Sequence, residues 1–198
     1  MSYQKTTRTN SLLNEAINDE YVFISVMGPH ANENEEEIFA RKADDIKKVG
    51  ESFWVSKINK KFVEECRRKL EGKAGYLLLV EPNSAINTKT GERAKQYSED
   101  KTNWKDIDAK ISQVTGKLGK GATAYYFDGI EMCNDKKDLD LNYYGEGNDY
   151  LKALKFRQGH SNVFAKKGDI KMPDGMKSHK RNVVAVLRLK YPYVVWVK

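Results

Sequence analysis

The apolar and polar positions of the chain settle into a regular alternation at YVFISVMG (21–28), a short β-branched run closed by Gly-Pro, which predicts a strand. The polar stretch NENEEEIFARKADDIKKVG that follows predicts a helix. Asn34 is placed to cap it, carboxylates fill its first turn and lysines its last, Phe39, Ala43 and Ile46 form an inner stripe, and Gly50 ends it. ESFWVSK (51–57) reads as a second strand, KKFVEECRRKLEG as a second helix with Phe62, Val63, Cys66 and Leu70 on one face, and GYLLLVEP (75–82) as a third strand. Strand, helix, strand, helix, strand is the order of parallel crossovers, so the first 82 residues read as a βαβαβ unit.

Periodicity then lapses in a polar loop over 83–103, and returns where Trp104, Ile107, Ile111, Val114 and Leu118 recur at spacings of three and four, which predicts a third helix. TAYYFDGIEM (123–132) is a strand, 134–150 an acidic, Gly-interrupted loop, and a short strand is expected around Ser161–Ala165. NVVAVLRLKYPYVVWVK (182–198) gives one long strand, or two with a bend near Pro192. Val183, Ala185, Leu187 and Leu189 face one way, and Val184, Val186 and Arg188 the other. The expected fold is therefore α+β, a mixed sheet with a βαβαβ-like N-terminal half and a strand-rich C-terminal half, preferred to a three-layer α/β arrangement. It is read as one domain over 1–198, with an insertion loop at 83–103 and a basic quarter at 151–198.

Composition sharpens this in three ways. At 39% hydrophobic and 32% charged residues the chain has enough apolar material for a core. It has no window of roughly 18 apolar residues and no apolar core of a signal peptide, so a soluble, cytoplasmic protein with no membrane partner is expected. Cys66 and Cys133 lie in neither C-x-x-C nor zinc-like spacing, and two reduced, half-buried thiols are expected. The net charge of +7 is unevenly placed: residues 151–198 carry twelve Lys and Arg against Asp169 and Asp174, a local +10, which leaves −3 for residues 1–150.

Recognisable catalytic signatures are missing: no G-x-S-x-G, Walker A, H-E-x-x-H or G-x-G-x-x-G occurs, and His30, His160 and His179 lack zinc spacing. Under parallel order His30, Lys57 and Glu81 share the rim beyond the strand ends, where ligands collect; His30, Glu81 and His160 are then the candidates for moving protons. Asp128 and Glu131 point to opposite faces of a continuous strand and can join Asp169 and Lys171 around a metal only if Gly129 introduces a bulge. No metal site is assigned and no cofactor is specified.

The fuller constellation is basic. KALKFRQGHSNVFAKK (152–167) and MKSHKR (176–181) place Arg157, Gln158, His160, Lys166, Lys167, Lys177, Ser178, His179, Lys180 and Arg181 in two segments flanking apolar strands, with Tyr143, Tyr144, Tyr150, Tyr191 and Tyr193 nearby. Cations neutralise phosphates, small polar groups bond phosphate or base edges, and tyrosines stack bases, so the expected function is nucleic-acid binding through Arg157, Lys177 and Arg181. The expectation requires the two segments to meet on one surface. One alternative is an enzyme for a small anionic or nucleotide-like substrate, clamped by Arg157 and Arg181; another is a module that presents its positive face to an acidic protein.

Overall fold

A computed structural model describes residues 11–27, 33–81, 91–112, 114–116, 118–140, 162–167 and 180–198. The N-terminal half contains α1 (Ser11–Asn18), β1 (Tyr21–Val26), α2 (Glu35–Val49), β2 (Ser52–Val55), α3 (Lys60–Leu70) and β3 (Gly75–Val80). Then come four short strands, β4 (Glu92–Arg93), β5 (Gln96–Ser98), β6 (Lys105–Asp106) and β7 (Thr115–Gly116), and three that complete the main sheet, β8 (Thr123–Asp140), β9 (Asn162–Lys166) and β10 (Lys180–Val197). The fold is α+β on a mixed sheet, as the pattern predicts. No described helix is long and apolar enough to cross a membrane.

Local chemistry sets the helix ends. Asn34 Oδ1 accepts from Glu37 N at 2.9 Å while Asn34 N donates to Glu37 Oε2 at 2.8 Å, a reciprocal capping box, and Gly50 closes α2 in the left-handed region at φ +87°. Asn59 caps α3 through its side chain alone, Oδ1 accepting from Phe62 N at 2.8 Å. The short amphipathic α1, with Leu13 and Ala16 buried, is an element the sequence reading passes over.

The main sheet runs β2-β8-β10-β3-β1-β9, and β5 with β6 extends it along the end of β10. β1 and β3 are parallel neighbours; every other pairing among the described strands is antiparallel. The predicted parallel βαβαβ unit is therefore only half realised. β2 does not join β1 and β3 but pairs with β8 at the opposite edge, three antiparallel steps from β3 and opposed to it in direction. The two long strands β8 and β10 supply more pairing surface than β1 and β3 leave open, and β2 takes their outer side.

That β8–β10 ribbon is bent where its register breaks. Arg188 faces Gly129 and Leu189 faces Phe127, so Asp128 is an extra residue; Leu189 faces Phe127 and Val194 faces Tyr125, so Lys190 to Tyr193 bulge out, with a cis Tyr191–Pro192 bond and Tyr193 at φ +63°. The bend anticipated near Pro192 lies here. A third irregularity, between Val183 and Ala185, moves Val184 onto the inner face; the predicted alternation holds from Ala185 to Leu189 and fails before it.

Because of the bend the sheet folds over itself. The inner faces of both arms, carrying Phe23, Leu77, Leu79, Tyr125, Phe127, Leu187 and Tyr193, enclose the main core together with Ile38 and Phe39 of α2 and Val63, Cys66 and Leu70 of α3. The Phe23 and Tyr125 rings meet edge to face across it at 5.8 Å. α1 covers the outer face of β1, β3 and β10 through Val22, Ile24, Leu78 and Val186. Cys66 and Cys133 are both buried and unbridged, more deeply than expected, and burial pushes the Cys66 thiol up to about 12.

Residues 91–118 are the largest departure from expectation. The predicted helix over 104–118 does not form, and 91–103 is not a bare loop. β4 with β7 and β5 with β6 make two small antiparallel pairs that lay Ala94, Ile111 and Val114 on the outer face of the other arm, against Phe53, Ala124, Tyr126, Val195 and Val197. Short polar side chains capture the backbone instead: Asp100 Oδ1 accepts from Thr102 N and Asn103 N, each at 2.8 Å, and Asp108 Oδ1 from Lys110 N at 2.8 Å. The spacing that suggests a helix marks successive anchors of an irregular chain. Similarly, 134–140, expected as the start of a loop, continues β8, which keeps its pairing with β10 to Asp140.

Candidate nucleic-acid interface

Strand direction decides which predicted residues can meet. β1 and β3 end at one rim of the sheet, β9 begins there because Asn162 faces Ser25, and β10 begins there because Val183 faces Val80. The sheet bend brings a further strand end to this place. Asn162 Oδ1 accepts from the Tyr125 hydroxyl at 2.9 Å and the Ser56 hydroxyl at 3.1 Å, and Asn162 Nδ2 donates to the Lys57 carbonyl at 3.1 Å. Lys57 thus reaches the rim, although β2 runs opposite to β3 and the parallel order that would have put it there is absent. Exposed Lys60 and Lys61 follow it on the first turn of α3.

Glu81 and the start of β10 are joined at the same rim. Asn182 Nδ2 donates to Glu81 Oε2 at 2.8 Å, Glu81 N donates to the Asn182 carbonyl at 3.0 Å, and the Arg181 guanidinium donates to the Glu81 carbonyl. Burial lowers the Arg181 pKa, opposed by the Glu81 carboxylate, yet a guanidinium stays charged across the working range. Lys180 beside it is exposed. The acid–base partners proposed for Glu81, His30 and His160, lie outside the described residues, as do Arg157, Gln158, Lys177, Ser178 and His179.

Lys166 is placed elsewhere. It ends β9 at the far end of the sheet, where its Nζ lies 3.4 Å from Glu20 Oε1, while Lys167 Nζ donates to the Ile17 carbonyl at the end of α1. Arg188 pairs with Asp128 at 2.8 Å, Lys190 with Glu51 at 3.0 Å, and Lys198 lies over the Trp104 ring at 4.0 Å. Most described cations of the C-terminal quarter are thus matched within the fold. Of the twelve cations of that quarter, Lys152, Lys155, Arg157, Lys171 and Lys177 lie outside the described residues, and residues 168–179 hold as many acids as bases, a distinction invisible to a count of lysines.

The Asp128–Glu131 pair meets its stated condition without forming a metal centre. The bulge at Asp128 turns both toward the outer face, but Asp128 binds Arg188 and Glu131 Oε2 accepts from Ser11 Oγ at 3.1 Å and Leu12 N at 3.0 Å, securing the start of α1. Among the described residues no group of three His, Cys, Asp or Glu side chains is arranged to hold a metal ion.

A residue to which the sequence reading gives no role, Arg67 of α3, organises the bend. Its guanidinium donates to the carbonyls of Pro192 at 3.3 Å, Val194 at 2.9 Å and Glu99 at 3.1 Å, and lies 5.8 Å from the centre of the Trp196 ring. It thereby satisfies carbonyls that the 190–193 bulge withdraws from the ladder. The position of Pro192 signals the bend, but nothing local ties Arg67 to it. Comparison with known proteins returns no matching family model, no matching curated protein and no matching solved structure.

Proposed function

We propose that the protein binds nucleic acid, with the phosphate backbone held at the rim where the basic segments of its C-terminal quarter join the sheet. One observation carries the reading: Asn162 and Lys180, the described residues at which the two basic segments enter the sheet, stand at the same rim, together with Lys57, Lys60 and Lys61. Cations gathered at one end attract a polyanion more strongly than the same number scattered over a surface. Along the chain the +10 of residues 151–198 stands against −3 for residues 1–150, so the cations available to such a ligand are concentrated in the C-terminal quarter.

The test is binding of labelled single-stranded and duplex oligonucleotides over a salt series. Log affinity should fall with log salt by roughly 0.9 per phosphate contact on duplex and about 0.7 on single strands. Alanine at Arg157, Lys177 and Arg181 together should flatten that slope by about two to three contacts' worth. Absence of binding at low salt, or an unchanged slope in the triple variant, refutes the reading.

A further inference from the structure

The Tyr191 ring is the one large apolar side chain exposed among the described residues, at 50%. From it runs a continuous line of aromatic rings and cations. The Tyr191 hydroxyl donates to Glu99 Oε1 at 2.5 Å, and that oxygen lies 3.9 Å from Arg67 Nη1; the Arg67 guanidinium and the Lys101 ammonium lie 5.8 and 5.0 Å from the centre of the Trp196 ring. The Lys101 carbonyl then accepts from Trp104 Nε1 at 3.0 Å, and Lys198 Nζ sits over Trp104 at 4.0 Å. Lys198 also lines an open groove of about 600 Å³ between the β4–β7 and β5–β6 pairs, with Arg93 and Lys95. Two carboxylates face that groove, Glu92 and Asp106; Asp106 is held by Gln96 Nε2 at 2.8 Å.

The geometry points to a track for single-stranded nucleic acid, with bases against Tyr191 and Trp104 and phosphates on Lys101, Lys198, Arg93 and Lys95. It rests on the nucleic-acid reading above and adds to it a second surface and a strand preference. A single strand repeats a flat apolar ring and an anion at each nucleotide, and the track repeats the complementary pair. In a duplex the base faces are already stacked on one another and cannot reach side-chain rings. Lys198 covers Trp104 in the free protein, but a surface cation–π contact is weaker than base–aromatic stacking, so an arriving base displaces the ammonium, which then pairs with the neighbouring phosphate. Trp196, buried to 8% exposure, serves as the floor between Arg67 and Lys101 and contacts no base.

The experiment compares an oligothymidylate of about twenty nucleotides with a duplex of equal length at low salt, by anisotropy and by tryptophan fluorescence. The wild type should bind the single strand more tightly and show quenching that disappears in Trp104→Phe. Tyr191→Ala and Lys101→Glu/Lys198→Glu, all at exposed or partly exposed positions, should each weaken single-strand binding by about tenfold and leave the duplex less affected. Equal affinity for both forms, or single-strand affinity and quenching unchanged in all of these variants while the wild type binds, overturns the track and leaves the rim standing. A wild type that binds neither form removes both.

Discussion

Tyr125 and Asn162 are 37 positions apart in the chain and on strands that are not neighbours in the sheet, yet the buried Tyr125 hydroxyl donates to Asn162 Oδ1 at 2.9 Å. With the Ser56 hydroxyl and the Lys57 carbonyl also on Asn162, one amide fastens the end of β2 to the start of β9 and so joins the two edges of the folded sheet. Asn162→Ala leaves two hydroxyls and a carbonyl to find new partners. It should lower stability by about 1–3 kcal/mol in urea unfolding, and Tyr125→Phe, which removes a single donor, by about 1 kcal/mol. Equal, negligible effects would mean that the edges are not joined there.

Arg67 should be intolerant of lysine. The guanidinium fork reaches Pro192, Val194 and Glu99 at once, which an ammonium cannot do. Arg67→Lys is expected to cost about 1–2 kcal/mol and Arg67→Ala about 3 kcal/mol, read as shifts of the denaturation midpoint at constant m.

A glycine distinguishes the observed 91–118 excursion from the helix that its spacing suggests. In a helix Gly116→Ala would stabilise by about 1 kcal/mol. In this structure a Cβ on Gly116 would lie 2.4 Å from Val55 Cγ1, so the substitution should destabilise by about 1–3 kcal/mol, and pairing it with Val55→Ala should recover part of the loss. Thermal melts of the three variants decide between opposite signs.

Lys42 gives the stability curve a predictable shape. The residue is 3% exposed, and its ammonium lies 3.5 Å from Asp45 Oδ2 and donates to the Ser112 carbonyl at 3.3 Å, tying α2 to the excursion; Asp45 in turn accepts from Ser52 Oγ and Ser112 N, each at 2.7 Å. Burial lowers its pKa to about 8 against the ordinary 10.5, only partly offset by Asp45. The unfolded chain therefore binds the additional proton between about 8 and 10.5, and stability should rise with pH across that window through this group, by on the order of 3 kcal/mol. Denaturation at pH 7.5, 9 and 10.5 should show the rise in the wild type, and Lys42→Met should lack it.

The legible parts of the fold are those written in neighbouring residues. Asn34 and Glu37 specify the start of α2 within four positions, and the apolar runs of β1 and β3 announce themselves. The position of β2 is a competition between pairing partners far apart in the chain, settled by the length of β8 and β10, and no window around Ser52–Val55 contains it. The basic charge of the C-terminal quarter was equally plain, but its neutralisation by Glu20, Glu51 and Asp128 depends on contacts between distant strands. The track through Trp104 and Lys101 was hidden for a different reason: a helical period assigned over 104–118 sends Trp104 into a core stripe.

Asp140 stands opposite Lys180 in the β8–β10 ribbon, so the polypeptide departs and returns at adjacent points. In topological terms the stretch from 141 to 179 is inserted into a hairpin, and β9 is the described part of it that joins the sheet. Lengthening such an insertion costs little closure entropy, about 0.6 kcal/mol for each doubling, and leaves the registry of the ribbon untouched. Evolution can therefore change the length and composition of the chain on either side of β9 while the architecture that carries it stays fixed.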